Sequence, residues 1–276
     1  VLSKWKRKPW IMEVRDLWPE SIKTVGAMKD NLFIRYFEWQ EKRCYKSAKH
    51  IVVVTDSFKK KLVERGIAAE KISVVKNGVN KDLFQPVPKD EALIKQLHLE
   101  GKTIIGYIGT HGMAHKLDFI LEAAHRLEGD SSLHFLLIGG GAMKEQLLKQ
   151  KEELGCTNVT MLDPVMKNEV ARYISILDVC LINLKKSPLF TTVIPSKMFE
   201  NAGMGKPILM GVEGEAKDII ESYGAGVCFE PENYDDFAAK LHYLLTPSVY
   251  DECKRNCKRL ADDFDRSKLA MRMFSV

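Results

Sequence analysis

The chain is expected to adopt an α/β fold of doubly wound parallel sheets, and three features of the sequence lead there. Short apolar, β-branched runs alternate with amphipathic helical stretches along most of the length, the pattern of βαβ units with strands covered on both faces. Glycines cluster directly after several strand-like runs, at the ends of the strands where such sheets hold ligands. The composition, 45% hydrophobic and 29% charged over 276 residues, fits a globular protein of one or two domains.

Taken in order, residues 10–15 form a short strand-like run that Asp16 and Pro19 close, and residues 31–46 carry apolar side chains at mixed helical spacing. Residues 50–54 are a β-branched strand. Thr55, Asp56 and Ser57 then cap a helix over 58–65, which Gly66 stops. A further strand is expected over 71–75, and Asn77 with Gly78 marks a turn. Residues 84–90, with two prolines, read as a linker. Beyond it the alternation is more regular, with strands near 103–108, 133–138, 158–162, 178–182, 207–210 and 226–229. Helices are expected near 116–127, 142–154, 167–176, 196–203, 215–222 and 234–245, and two more, 248–260 and 266–275, end the chain.

Charge and cysteines narrow the function classes. Residues 1–50 hold twelve Lys/Arg against six acids, while the whole chain is +5, so the basic excess sits at the start. Interleaved tryptophans, phenylalanines and a tyrosine make that stretch either an anionic-membrane contact or a solvated helix face. No zinc spacing or recognition motif supports nucleic acid as a partner. No apolar run reaches the roughly 18 residues of a membrane span, and nothing at the start resembles a signal peptide. Six scattered cysteines suggest a reduced, cytoplasmic setting, and Cys253 with Cys257 lacks the further ligands of a metal site. Asp263 and Asp265 read as helix capping.

The candidate site lies in four loops after strands of the second half. The first holds Gly109, His111, Gly112, His115 and Lys116; the second holds Gly139, Gly140 and Gly141. The third is Pro164, Val165 and Met166, and the fourth runs from Leu184 to Pro195, Ser196 and Lys197. Ser196 is expected to cap a short helix whose first amides, with Lys197, suit an anion. Glu200, one turn on, offers a carboxylate to paired hydroxyls. Together these suit a sugar-nucleotide better than a bare phosphate; an ordinary capped helix with a solvated Glu200 is the alternative. His111 and His115 are either phosphate donors or loop histidines in water.

These motifs, residues 104–112, 136–141, 195–200 and 205–209, resemble family 4 glycosyltransferases, as do residues 72–80 and 13–21. Residues 13–21 look similar to the subgroup that transfers N-acetylated aminosugars such as fucosamine in bacterial surface polysaccharide assembly. The resemblance implies a GT-B architecture of two facing Rossmann-like domains. Residues 1–80 would be the second half of an acceptor-side domain, 81–246 the donor-binding domain, and 247–276 helices packing back toward the first. It implies transfer with retention of configuration from a nucleotide-sugar donor, UDP-linked by family habit, to a lipid-linked or oligosaccharide acceptor. No metal or other cofactor is implied, and the setting would be cytoplasmic, at the inner face of the membrane. Glu200 would take the ribose, Lys116 the diphosphate, and Pro195, Ser196 and Lys197 the phosphates or sugar. Pro164, Val165 and Met166 would flank the base, and Asp16 stands near the family's catalytic position in the first domain. Three departures stand out: Thr192 where the family has a glutamate, Thr110 where it has an arginine, and no glycine-rich opening strand and loop, so that a truncated first domain is expected. A nucleotide-sugar epimerase and a binding-only chain are the other readings.

Overall fold

The computed structural model describes residues 2–24, 26, 28 and 30–274. Lys29 of the basic stretch and Ser275, the expected last helical residue, lie outside them. The order is α1 (Leu2–Lys6), β1 (Ile11–Val14), α2 (Glu20–Thr24), α3 (Leu32–Ser47), β2 (His50–Val53), α4 (Asp56–Glu64) and β3 (Ile72–Val74). Then come α5 (Glu91–Gln96), β4 (Thr103–Ile108), α6 (Leu117–Arg126), β5 (Leu133–Ile138), α7 (Lys144–Leu154), β6 (Val159–Leu162), α8 (Val170–Ser175) and β7 (Val179–Asn183). The remainder is α9 (Lys197–Gly203), β8 (Ile208–Gly211), α10 (Glu215–Tyr223), β9 (Gly226–Cys228), α11 (Tyr234–Leu244), α12 (Pro247–Asp263) and α13 (Arg266–Phe274).

Local chemistry sets the helix starts. Asn31, Thr55, Asp90 and Asn233 each accept a backbone N–H three residues on, at 2.8–3.1 Å, satisfying first-turn donors that would otherwise be orphaned. Asp90 therefore ends the expected linker by starting α5, and Phe84 within that linker is buried in the core. At the other end, Gly155 and Gly224 close α7 and α10 in the left-handed conformation.

All strand pairs are parallel. The smaller sheet has the order β1-β2-β3 and the larger β6-β5-β4-β7-β8-β9. In the larger sheet the order reverses between β4 and β7, which places a topological switch point at their carboxyl ends. Helices cover both faces, and the strands show it residue by residue. Ile104, Leu136, Ile138, Cys180 and Ile182 enter one core, while Ile105, Tyr107, Phe135, Leu137 and Leu181 enter the other. A third, smaller core lies on β1–β3 and includes Leu17, Tyr45, Val53, Phe58 and Leu62.

Charged and backbone contacts join the two sheets' surroundings. The Glu215 carboxylate, at the start of α10, accepts from the amides of Asp56 and Ser57 at the start of α4 (both 3.1 Å) and from Ser57 Oγ (3.0 Å). Lys76 Nζ lies 2.9 Å from both Asp56 and Glu215. Val79 exchanges backbone bonds with Phe264 and Arg266 on either side of the α12–α13 junction. Among the described residues, no helix is long and apolar enough to cross a membrane.

Candidate donor-binding site

The site is assembled where the loops after β4, β5 and β6 are stitched backbone to backbone. Gly109 N donates to Ile138 O (2.9 Å), His111 N to Gly140 O (2.8 Å), Met143 N to His111 O (2.9 Å) and Gly139 N to Leu162 O (3.1 Å). Such close approach requires glycine at two places. A Cβ on Gly139, at φ +149°, would lie 1.8 Å from Gly109 O, and one on Gly141, also at +149°, would lie 2.6 Å from His111 O. Gly109, at φ +154°, makes room for the Lys197 side chain: a Cβ there would lie 2.5 Å from Lys197 Nζ. A Cβ on Gly140 would lie 2.9 Å from Pro164 Cγ, whereas one on Gly112 would meet only ordinary contacts, so nothing steric demands glycine there.

Into this backbone frame the structure brings a cluster of basic nitrogens. Among the described residues, six buried side-chain polar atoms lack a hydrogen-bond partner, and four are nitrogens of this cluster: both ring nitrogens of His111, His115 Nδ1 and Lys197 Nζ. Lys197 Nζ sits 3.8 Å from the centroid of the Tyr107 ring, and the His111 and His115 rings lie 6.1 and 5.9 Å from that same ring. Burial holds Lys197 down to about 7, with Glu200 partly opposing it. Burial and then nearby lysines hold His111 and His115 near 4, so both rings are neutral at pH 7. Buried polar groups are normally paired, so this concentration of unpaired nitrogens, the Lys197 amine among them, makes the place a candidate for a polar ligand.

The alternative that at least one of the two histidines is a loop side chain in water is therefore corrected. His111 is fully buried and His115 Nδ1 is also out of solvent, because the loop folds under the Gly139 turn and not outward. The Ser196 cap is corrected as well. Ser196 stands at the N-cap place of α9, but at φ −60°, ψ −30° it is already helical and its hydroxyl caps nothing. A capping side chain reaches back only from an extended residue. The amides of Met198 and Phe199 bond instead to the carbonyls of Pro195 and Ser196, each at 3.1 Å.

The remaining residues frame the cluster. Glu200 is half-buried, and burial raises its carboxyl above the usual range against the pull of Arg266, Lys167 and Lys197. Lys116 adopts the left-handed conformation at the start of α6 and pairs with Asp118; burial opposes its charge, but that carboxylate leaves it above its usual value. Val165 packs on the core below, while Met166 is 71% exposed, an apolar arm free to meet a flat ring. Asp16 lies in the other sheet's loop, after β1, where it accepts from Ser21 Oγ (2.9 Å); no hydrogen bond or ion pair joins it to the residues above. Thr192 turns its hydroxyl onto Leu189 O (2.7 Å).

Three contributors were not singled out from the sequence. Tyr107 supplies the ring under Lys197 and bonds Thr110 O (2.8 Å). Asn183, ending β7, donates to the carbonyls of His115 (3.0 Å) and Lys116 (3.2 Å) and so ties the first loop to the switch point. Lys144 donates to the carbonyls of Gly139 (3.1 Å) and Leu162 (2.6 Å), holding the second and third loops together. A polar residue ending an apolar strand was the available signal for Asn183; the other two carried none beyond their neighbourhood to glycine.

Comparison with known proteins agrees with this frame. The family model described as "Glycosyl transferases group 1" matches residues 88–261, and one described as "Glycosyltransferase Family 4" matches residues 1–83. The chain is 28% identical over 220 residues to the putative colanic acid biosynthesis glycosyl transferase WcaI of Escherichia coli, covering 77% of this chain and 54% of that protein. It is 28% identical over 264 residues to the putative teichuronic acid biosynthesis glycosyltransferase TuaH of Bacillus subtilis, covering 91% and 63%. The chain thus spans less than two thirds of these relatives. Among solved structures, Anabaena HepE in complex with UDP and glucose superposes with a TM-score of 0.83 at 17% identity, over 99% of this chain and 72% of that one. The sucrose-phosphate synthase of Thermosynechococcus elongatus superposes with a TM-score of 0.80 at 17% identity, over 99% and 69%. The architecture is the GT-B type, with Rossmann-like parallel sheets, that the sequence predicts.

Proposed function

The chain belongs to the group 1 glycosyl transferases, and from that premise we propose that it binds a nucleotide-sugar and serves sugar transfer in the assembly of a cell-surface polysaccharide. One observation carries the proposal: the unpaired Lys197, His111 and His115 nitrogens gathered at the β4/β7 switch point. A departing nucleoside diphosphate accumulates negative charge, and fixed donors aimed at that charge lower the barrier to its leaving. Lys197 takes a phosphate oxygen as an ammonium, Lys116 a second one, and the backbone of the Gly109 loop lies between them. Glu200 accepts from the ribose hydroxyls, and Pro164, Val165 and Met166 flank the base. In this account the chain's own cations meet the phosphate charge without a metal, so a chelator leaves nucleotide affinity unchanged.

The finer reading is a UDP-linked donor, retention of configuration, and a saccharide or lipid-linked acceptor held against Asp16 of the first sheet. The names of the relatives, which concern colanic and teichuronic acid, support a saccharide-type acceptor, and the UDP-bound likeness supports the nucleotide; retention and the role of Asp16 rest on the family resemblance alone. A membrane-borne acceptor also suits the exposed Trp5, Phe33, Tyr36 and Trp39 with Lys6 and Arg43 stacked on two of them, a composition that settles on anionic lipid. Sedimentation with anionic vesicles, lost on Phe33→Ser with Trp39→Ser, tests that contact; equal loss with neutral vesicles removes the charge argument. The donor site is tested by calorimetric titration with UDP. Saturable binding that Lys197→Met weakens supports the reading, and no binding rejects it.

A further inference from the structure

We propose that His125, Glu128 and Cys156 form a binding site for a borderline-soft divalent cation of the zinc class, at the end of the larger sheet opposite the donor loops. One donor atom from each residue lies within 4.8 Å of the other two, the only such group of three among the described residues. A tetrahedral zinc site needs donor separations of about 3.3–3.7 Å, so closing onto an ion shortens a separation by at most about 1.5 Å. The His125 side chain, 44% exposed in the last turn of α6, is free to make that movement.

The other two ligands are already held. Cys156 follows the left-handed Gly155 that ends α7, and its amide is fixed on Lys151 O (3.1 Å). Glu128 uses one carboxylate oxygen to accept from Thr157 N (2.8 Å) and Thr157 Oγ1 (3.3 Å), which leaves the other facing His125 Nδ1 at 3.3 Å. A carboxylate oriented by such partners is the usual arrangement behind a metal ligand. The donor set of thiolate, imidazole and carboxylate suits zinc or cobalt and does not suit magnesium or calcium, which take oxygen. Burial, and then the Glu128 charge, raise the Cys156 thiol above its usual value, and its Sγ donates to Leu121 O (3.8 Å). A cation offsets both effects, so binding releases the thiol proton. The ion ties the end of α6 to the turn after α7, and solvent reaches the fourth coordination position beside His125.

The test uses the chelator-treated chain titrated with Co²⁺ and then Zn²⁺. The expected result is one cobalt per chain, a thiolate-to-cobalt charge-transfer band with the intense visible bands of a tetrahedral site, and displacement by zinc. Cys156→Ser and the surface variant His125→Gln lose the charge-transfer band or the tetrahedral bands respectively. Glu128→Gln binds at least about tenfold more weakly. Cys253→Ser keeps the full spectrum, and UDP affinity is the same in all variants. Absence of the spectrum, its survival in Cys156→Ser, or less than half an ion bound per chain overturns the proposal.

Discussion

Replacing Lys197 with methionine should make the ligand-free protein more stable while weakening its hold on a nucleoside diphosphate. Burial takes the amine from 10.5 to about 7, and each pK unit is worth about 1.4 kcal/mol between the charged and neutral forms. The unfavourable interaction of the ammonium is therefore on the order of 3–5 kcal/mol when no anion is bound. Methionine has a similar length, fills the space over Tyr107, and needs no partner. The sign with pH follows directly. The folded value lies below the unfolded one, so between about 7 and 10.5 the unfolded chain binds more protons, and wild-type stability rises with pH across that window. Thermal denaturation of ligand-free Lys197→Met at pH 7 should show a higher midpoint, by about 2–4 °C per kcal/mol gained, and a flatter rise from pH 7 to 10. Its UDP affinity should fall by the 1.5–3 kcal/mol of a charged hydrogen bond, roughly 10- to 150-fold. A variant as stable as wild type or less, with the same pH slope, would refute the claim of a buried, unpaired amine.

Glu200→Ala should lower UDP affinity by about 1.5–3 kcal/mol and abolish any preference for UDP over its 2′,3′-dideoxy analogue, both read by calorimetry. His111 and His115 titrate near 4 when folded and near 6.5 when unfolded, so stability should decline as pH falls from about 6.5 toward 4. His111→Phe should flatten that decline in denaturant titrations. Gly139→Ala should destabilise the fold by about 2 kcal/mol or more, since its Cβ would lie 1.8 Å from Gly109 O, while Gly112→Ala should stay within about 1 kcal/mol of wild type in the same melts.

Much of the architecture was legible because buried parallel strands are apolar on both faces and leave a strong signal. β5, with all six residues buried, is the clearest case. Three short elements, α1, α2 and α5 at five or six residues, were not. Asp90 carries a capping signal for α5, but the prolines before it read more strongly as a linker. In the candidate site, glycine positions were readable because only glycine permits backbone contact such as that of Gly139 with Gly109. Whether a side chain is paired was not readable. The sequence leaves His111 open between a phosphate donor and a loop residue in water; its burial shows only once its amide is seen bonded to the Gly140 carbonyl with the ring inside. Likewise, no spacing rule puts Tyr107 under Lys197, since one ends a strand and the other begins a helix after a different strand.

The central claim is that a diphosphate meets an amine held neutral by burial. Calorimetric titration of UDP at pH 8, in buffers of differing ionisation enthalpy, measures it directly. At that pH most Lys197 is unprotonated when the site is empty, so binding should take up about one proton, and Lys197→Met should abolish the uptake. Binding without proton uptake, or uptake that persists in the variant, would contradict the account.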